Sequence, residues 1–236
     1  MPGEIKKNVK WVYQQIEESA RKSYKSKEDI RLVAVTKYAG IEQIEELVRF
    51  GVTEIGENKV QEALPKIESL SDMNITWHFV GHLQSNKVKY VIDHISLYQS
   101  LDRISLAKEL NKRAQKKNRK INALVQVNIG EEEQKHGLSI EEVESFVDLV
   151  LNECNYLNIQ GLMTMPPYTP DPEDNRALFN RMKQLFDLLS DKFGHEYFQY
   201  LSMGMSHDFQ VAIEEGANMV RIGRVLFQTQ NEGGQK

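Results

Sequence analysis

Cysteine is almost missing from this sequence. Cys154 is the only one among 236 residues, so no internal disulfide can form. A chain that does without disulfides suits a reducing compartment. Long apolar runs are missing too, since none approaches the roughly 20 residues that cross a bilayer. The N-terminal stretch MPGEIKKNVKWVYQQIEESA has no apolar segment after its basic residues, so it does not read as a secretory signal. Excess positive charge is absent: the net charge of -4 leaves no basic surface for a phosphate backbone. Proline is scarce, and four of the six lie in one segment, MPPYTPDPED, so no Pro/Gly-rich linker divides the chain. These absences describe a cytoplasmic protein with neither nucleic acid nor membrane as partner.

What is present is the composition of a globular domain, 40% hydrophobic and 27% charged. Short apolar runs alternate with longer amphipathic ones. Strand candidates are 32–36, 52–55, 75–80, 95–99, 123–127, 159–163, 198–203 and 219–222. Helix signals follow them, as in IEQIEELVRFG, ending at Gly51, and SIEEVESFVDLVLNE, where Ser139 precedes acidic first-turn residues. Eight strands with crossover helices predict an α/β fold, a single-domain (β/α)₈ TIM barrel, for which about 250 residues is typical. An extra helix over 4–24 precedes the first strand and is expected to cap the barrel bottom. The expected domain is one barrel over 1–236, with strand one near 31–37, strand eight near 219–223 and a polar tail over 228–236.

In such barrels the working face lies at the C-terminal strand ends. Lys37 ends strand one in phase with Val33 and Val35. Gln126 and Asn128 share one phase of strand five, Ser202 and Gly204 one phase of strand seven, and Arg221 and Gly223 one phase of strand eight. Polar groups thus converge on one end of an apolar barrel, the pattern of a ligand site. A buried lysine amine is desolvated towards its neutral, nucleophilic form, which condenses with aldehydes. Position alone does not separate that role from a lysine reaching out of the barrel mouth into water. In SMGMSHDFQVAIEEGA, Gly204 lets the backbone approach a ligand, and Ser206 N-caps a helix starting near His207, so the segment suits an anion. An ordinary capped helix, with Asp208 complementing its dipole, explains the same residues equally well. Arg221 needs an acceptor inside the barrel, either a structural carboxylate or a bound ring or phosphate.

Taken together, AVTK (34–37), EIGENKVQE (54–62), WHFVGHLQSNK (77–87), QVNIGEEEQKHG (126–137), GLMTM (161–165) and LSMGMSHDFQVAIEEGANMVRIG (201–223) make the sequence resemble the pyridoxal phosphate homeostasis protein family. These are single-domain relatives of the barrel domain of alanine racemase, and the motifs run from strand one to strand eight. The resemblance implies a Schiff base between pyridoxal phosphate and Lys37. It also implies phosphate contacts from Ser206 and the Gly223 and Arg224 backbone, with Arg221 near the pyridine nitrogen. Asn58 and His78 match motif positions near the cofactor pocket. Tyr38 and Lys59 fill variable positions and leave the assignment as it stands. The implied role is intracellular vitamin B6 homeostasis as a monomer, influencing amino-acid and keto-acid metabolism, with pyridoxal phosphate-dependent enzymes as recipients.

No catalytic residue is assigned, because the racemase uses a tyrosine from a second domain and this chain stops soon after Gly223. Two rivals share the features: a racemase-like enzyme, with Tyr200 or a partner subunit as proton donor, and a Schiff-base aldolase acting on a phosphorylated sugar. No metal is expected, since His78 and His82 are split by Gly81 and lack an evident third ligand. The basic run KRAQKKNRK (112–120) reads as a solvated helix end. Cys154 reads as buried filler, and Met163, Met203 and Met205 as core or pocket lining.

Overall fold

The computed structural model describes residues 3–132 and 134–228, so the expected tail beyond Gln228 lies outside the described residues. Eight parallel strands, β1 (Arg31–Val35), β2 (Glu54–Glu57), β3 (Thr76–Phe79), β4 (Ile95–Leu101), β5 (Ile121–Val127), β6 (Leu157–Thr164), β7 (Tyr200–Met205) and β8 (Met219–Ile222), close into a barrel in chain order. β8 pairs back onto β1, with Val33 opposite Arg221. Helices α1 (Glu4–Lys22), α2 (Ile41–Arg49), α3 (Val60–Ser69), α4 (Val88–Val91), α5 (Ile104–Lys116), α6 (Ile140–Glu153), α7 (Arg176–Phe193), α8 (Phe209–Glu214) and α9 (Arg224–Phe227) surround it. The predicted (β/α)₈ barrel is therefore the observed fold.

Strand positions agree with the hydrophobic runs to within two residues: β2 and β7 begin two residues later than expected, at Glu54 and Tyr200, and β5 and β6 two residues earlier, at Ile121 and Leu157. Polar glutamates bracket Ile55 and Gly56, so the apolar run marked the approach to the strand better than the strand itself. The N-terminal helix also departs from expectation. It packs against α8, α9 and α2, in the outer layer, where a bottom cap was expected. Ile5, Val9, Val12, Ile16 and Ala20 form its buried stripe, at the 3–4-residue spacing of one helix face. Asn8, fully buried on that stripe, donates to the carbonyls of Leu226 and Gln228, tying the first helix to the last.

Alternation along each strand divides the interior in two. Leu32, Ala34, Ile55, Trp77 and Phe79 point outward into the helix layer, where most of the core lies. Val33, Leu97, Leu124, Met163 and Met219 fill the lumen with Tyr200 beneath them. The barrel is thus packed rather than open, and buried polar side chains share its lumen with these apolar ones.

Candidate functional site

A hydrogen-bonded chain crosses the lumen within the apolar plug, with Arg221 opposite Val33 and Ser202 opposite Met163 in the strand register. Arg221, buried in β8, donates from Nη1 to Ser202 Oγ at 2.6 Å and from Nη2 to the Thr164 carbonyl at 2.7 Å. Ser202 donates in turn to Gln99 Oε1 at 2.7 Å, and Gln99 Nε2 donates to His78 Nδ1 at 3.0 Å. The other nitrogen of His78 lies 3.3 Å from Glu54 Oε2, misaligned for a hydrogen bond but close enough for electrostatic attraction. The donor-to-acceptor polarity runs one way, from the guanidinium to His78, and Gln99 Nε2 also donates to Met219 Sδ at 3.3 Å. Burial with no carboxylate in contact pushes the Arg221 guanidinium down to about 10, partly opposed by Asp208. Burial pushes Glu54 up, but His78 and Arg31 outweigh it and hold the carboxyl below its usual value.

The strand ends place the remaining expected site residues. Lys37 stands two residues beyond β1 and is exposed, its Nζ 5.0 Å from the centre of the Tyr38 ring. The burial expected from a strand-end position is not seen, because the strand stops at Val35 and the following turn leaves the side chain exposed. Asn58, half-buried just past β2, has a buried Oδ1 without a hydrogen-bond partner. Gly81 makes room there, since a Cβ on it would meet the Asn58 carbonyl at 2.3 Å. Ser206 Oγ accepts from the Gly223 N–H at 3.2 Å, which brings together the two groups implied for the phosphate. Arg224 follows, exposed, as the first residue of α9. His78 lies within the lumen and reaches the others only through Gln99 and Ser202.

One expectation is corrected. Ser206 does not cap a helix near His207: α8 begins at Phe209 with Asp208 at the N-cap position, and the Ser206 hydroxyl serves Gly223 instead. Asp208 is itself a turn anchor, accepting from the Met205 N–H at 2.7 Å and from Asn175 at 3.2 Å. Gly204, with φ +90, is required by packing whatever binds nearby, because a Cβ there would lie 2.6 Å from that of Ala212 in α8. Gln126 and Asn128, in phase as read, shape the β5–α6 loop: Gln126 donates to the His136 carbonyl and Asn128 to that of Glu132.

Several functional positions were missed in the sequence. Gln99 sits in the lumen phase of ISLYQSL with Leu97, so period-two alternation carries a signal for it. Nothing local points to Lys66 of α3, which reaches Glu57 Oε1 and the Thr36 carbonyl, both at 2.7 Å. Thr36 also donates to Glu57 at 2.5 Å, so a fully buried carboxylate clamps the backbone that leads directly into Lys37. On the far side of the mouth, His207 Nε2 donates to the Thr169 carbonyl at 2.9 Å, joining the proline-rich loop to the β7 end.

The family described as alanine racemase, N-terminal domain, matches residues 5–231. A pyridoxal phosphate homeostasis protein of Aquifex aeolicus is 42% identical over 216 residues, 92% of this chain and 94% of its own length. Its counterpart in Haemophilus influenzae is 34% identical over 229 residues, 96% of each chain. Among solved structures, PipY of Synechococcus elongatus PCC7942, solved with PLP bound, has 30% identity and a TM-score of 0.79, covering 90% of this chain and 100% of PipY. Alanine racemase of Clostridium difficile 630 shares the fold at a TM-score of 0.73 and 15% identity, with 98% of this chain covering 58% of that enzyme. With a barrel closed in the same way and a family match over nearly its whole length, this chain belongs to the alanine racemase N-terminal domain family, in which its relatives include the pyridoxal phosphate homeostasis proteins.

Proposed function

We propose that this protein binds pyridoxal phosphate at the barrel mouth and acts in intracellular vitamin B6 homeostasis, holding the cofactor on Lys37. The observation that carries the reading is the meeting of the Ser206 hydroxyl and the Gly223 N–H at 3.2 Å, at the ends of β7 and β8. Those two strand ends are where barrels of this kind commonly seat a phosphate. Two further features fit the cofactor. Lys37 presents an exposed primary amine at the same mouth, and Asn58 keeps a buried oxygen without a partner. Bound there, pyridoxal phosphate would supply an aldehyde for an amine and a phosphate for hydrogen-bond donors.

The chain's own residues then divide the work. Ser206 and the Gly223 and Arg224 backbone hold the phosphate, and Lys37 supplies the amine. Arg221 stands in the lumen, fixed by Ser202 and Thr164. At about 10 its guanidinium stays protonated at neutral pH and can only donate, so a ring nitrogen facing it stays unprotonated. That weakens the ring as an electron sink and favours holding over turnover. The protein accordingly racemizes free amino acids only in traces, works as a cytoplasmic monomer and passes its cofactor to pyridoxal phosphate-dependent enzymes.

The test is covalent trapping. The purified protein, loaded with pyridoxal phosphate, gains visible absorption, and borohydride reduction leaves the added mass on the peptide bearing Lys37. Ser206→Ala weakens retention by about 1.5–3 kcal/mol, the contribution of one hydrogen bond to a charged group. An adduct found only on another lysine, or unchanged retention by Ser206→Ala, sinks the assignment.

A further inference from the structure

His82, Asp102 and His136 come from three different strand ends, after β3, β4 and β5. Among the described residues they form the one group of three potential metal ligands, with one ligating atom from each lying within 4.8 Å of the other two. The His82 and His136 rings stack at 4.1 Å between centroids with 19° between their planes. His82 Nδ1 lies 3.5 Å from Asp102 Oδ2. Read along the chain, His82 pairs with His78 and finds no third ligand. Folding sends His78 into the lumen and brings His82 two other partners.

The surroundings hold each ligand in place. Arg103 Nη1 takes Asp102 Oδ1 at 2.5 Å, leaving Oδ2 towards His82, while its Nη2 donates to the Leu83 carbonyl. Ser100 donates to the Gly81 carbonyl, so the backbone is anchored on both sides of His82. The His136 carbonyl is held by Gln126 at 3.0 Å. Such outer contacts orient ligands before an ion arrives.

We propose that His82, Asp102 and His136 form a site for a divalent transition-metal ion at the mouth of the barrel. Bonds of roughly 2.0–2.2 Å to a four-coordinate ion put neighbouring ligand atoms roughly 3–3.5 Å apart. His82 and Asp102 already meet that spacing, and the exposed His136 side chain must turn out of its stack on His82 to aim a ring nitrogen at the ion. Two imidazoles and one carboxylate oxygen select zinc, cobalt or nickel over magnesium or calcium, which prefer all-oxygen shells. Three protein ligands leave a fourth position open to water or a small ligand in the mouth. Arg103 partly neutralises Asp102, so it lowers affinity while fixing geometry.

The experiment is calorimetric titration of the full-length, chelator-treated protein with zinc ion alone, with and without excess magnesium. One equivalent should bind, magnesium should not compete, and His136→Ala should weaken binding by on the order of 100-fold. Asp102→Asn should weaken it too, but it also disturbs Arg103. His136→Ala decides, because that side chain is exposed and an unchanged melting temperature will show the fold intact. His94→Ala, an exposed histidine outside the cluster, should bind as the wild type does. Failure of the wild type to bind one equivalent, or equal affinity in His136→Ala, overturns the site; two structural histidines stacked beside an ion pair would then remain. Neither result bears on cofactor trapping at Lys37.

Discussion

Ser202 is the pivot of the lumen chain, and removing its hydroxyl should cost far more than a serine usually does. In Ser202→Ala, Arg221 loses the acceptor of Nη1 while the guanidinium stays enclosed, with the residue 3% exposed. Stranding a buried charge typically costs 3–5 kcal/mol, and the lost bond to Gln99 adds about 1 kcal/mol. Because Arg221 keeps the Thr164 carbonyl, about 3–4 kcal/mol is expected in all. Arg221→Met is the second arm. A guanidinium pushed down to about 10 by burial costs the folded state about 3 kcal/mol at neutral pH. Methionine relieves that and loses two hydrogen bonds, so its net effect should stay within about 2 kcal/mol of zero. In the Arg221→Met background, Ser202→Ala should then cost only about 1 kcal/mol, the Gln99 bond alone. The two changes should couple by about 2–3 kcal/mol. Equilibrium urea unfolding of the four cofactor-free proteins measures it. A coupling below about 0.5 kcal/mol would mean that water or a rearranged side chain satisfies Arg221, and the lumen chain would lose its meaning.

Three further outcomes are expected. Lys66→Met strands the fully buried Glu57 and should destabilise by about 3–5 kcal/mol in urea unfolding, with Glu57→Gln restoring part of the loss in the double variant; additivity would refute the clamp. Glu54 has a depressed folded value, so its contribution is present above the unfolded value of 4.5 and lost as pH falls through the folded one. Glu54→Gln should therefore flatten the acid limb of stability against pH, and superimposable limbs would refute the interaction with His78 and Arg31. Gly204→Ala meets both a positive φ and a 2.6 Å contact with Ala212, and should lower stability by about 2–4 kcal/mol, read as a fall in melting temperature. A neutral result there would return Gly204 to the ligand-approach reading.

Which face each strand residue occupies is a local property, because successive side chains alternate, and the sequence alone decided it. Val33 and Val35 lead to Lys37 at the mouth, Ser202 and Arg221 point inward, and the eight apolar runs suffice for the barrel. Only the tertiary structure decided which inward residues meet. Ser202 and Gln99 are 103 positions apart, and closure of the sheet with its register sets their 2.7 Å contact. The same holds for His82 with Asp102 and His136, and for Ser206, whose hydroxyl turns from the helix cap its neighbours suggest to the Gly223 N–H of the adjacent strand. Lys37 marks the division most clearly: alternation gives its direction, but the end of β1 at Val35 decides that it stands in water. A periodic pattern encodes direction at one residue's reach, whereas partners across a barrel depend on loop closure over the whole chain.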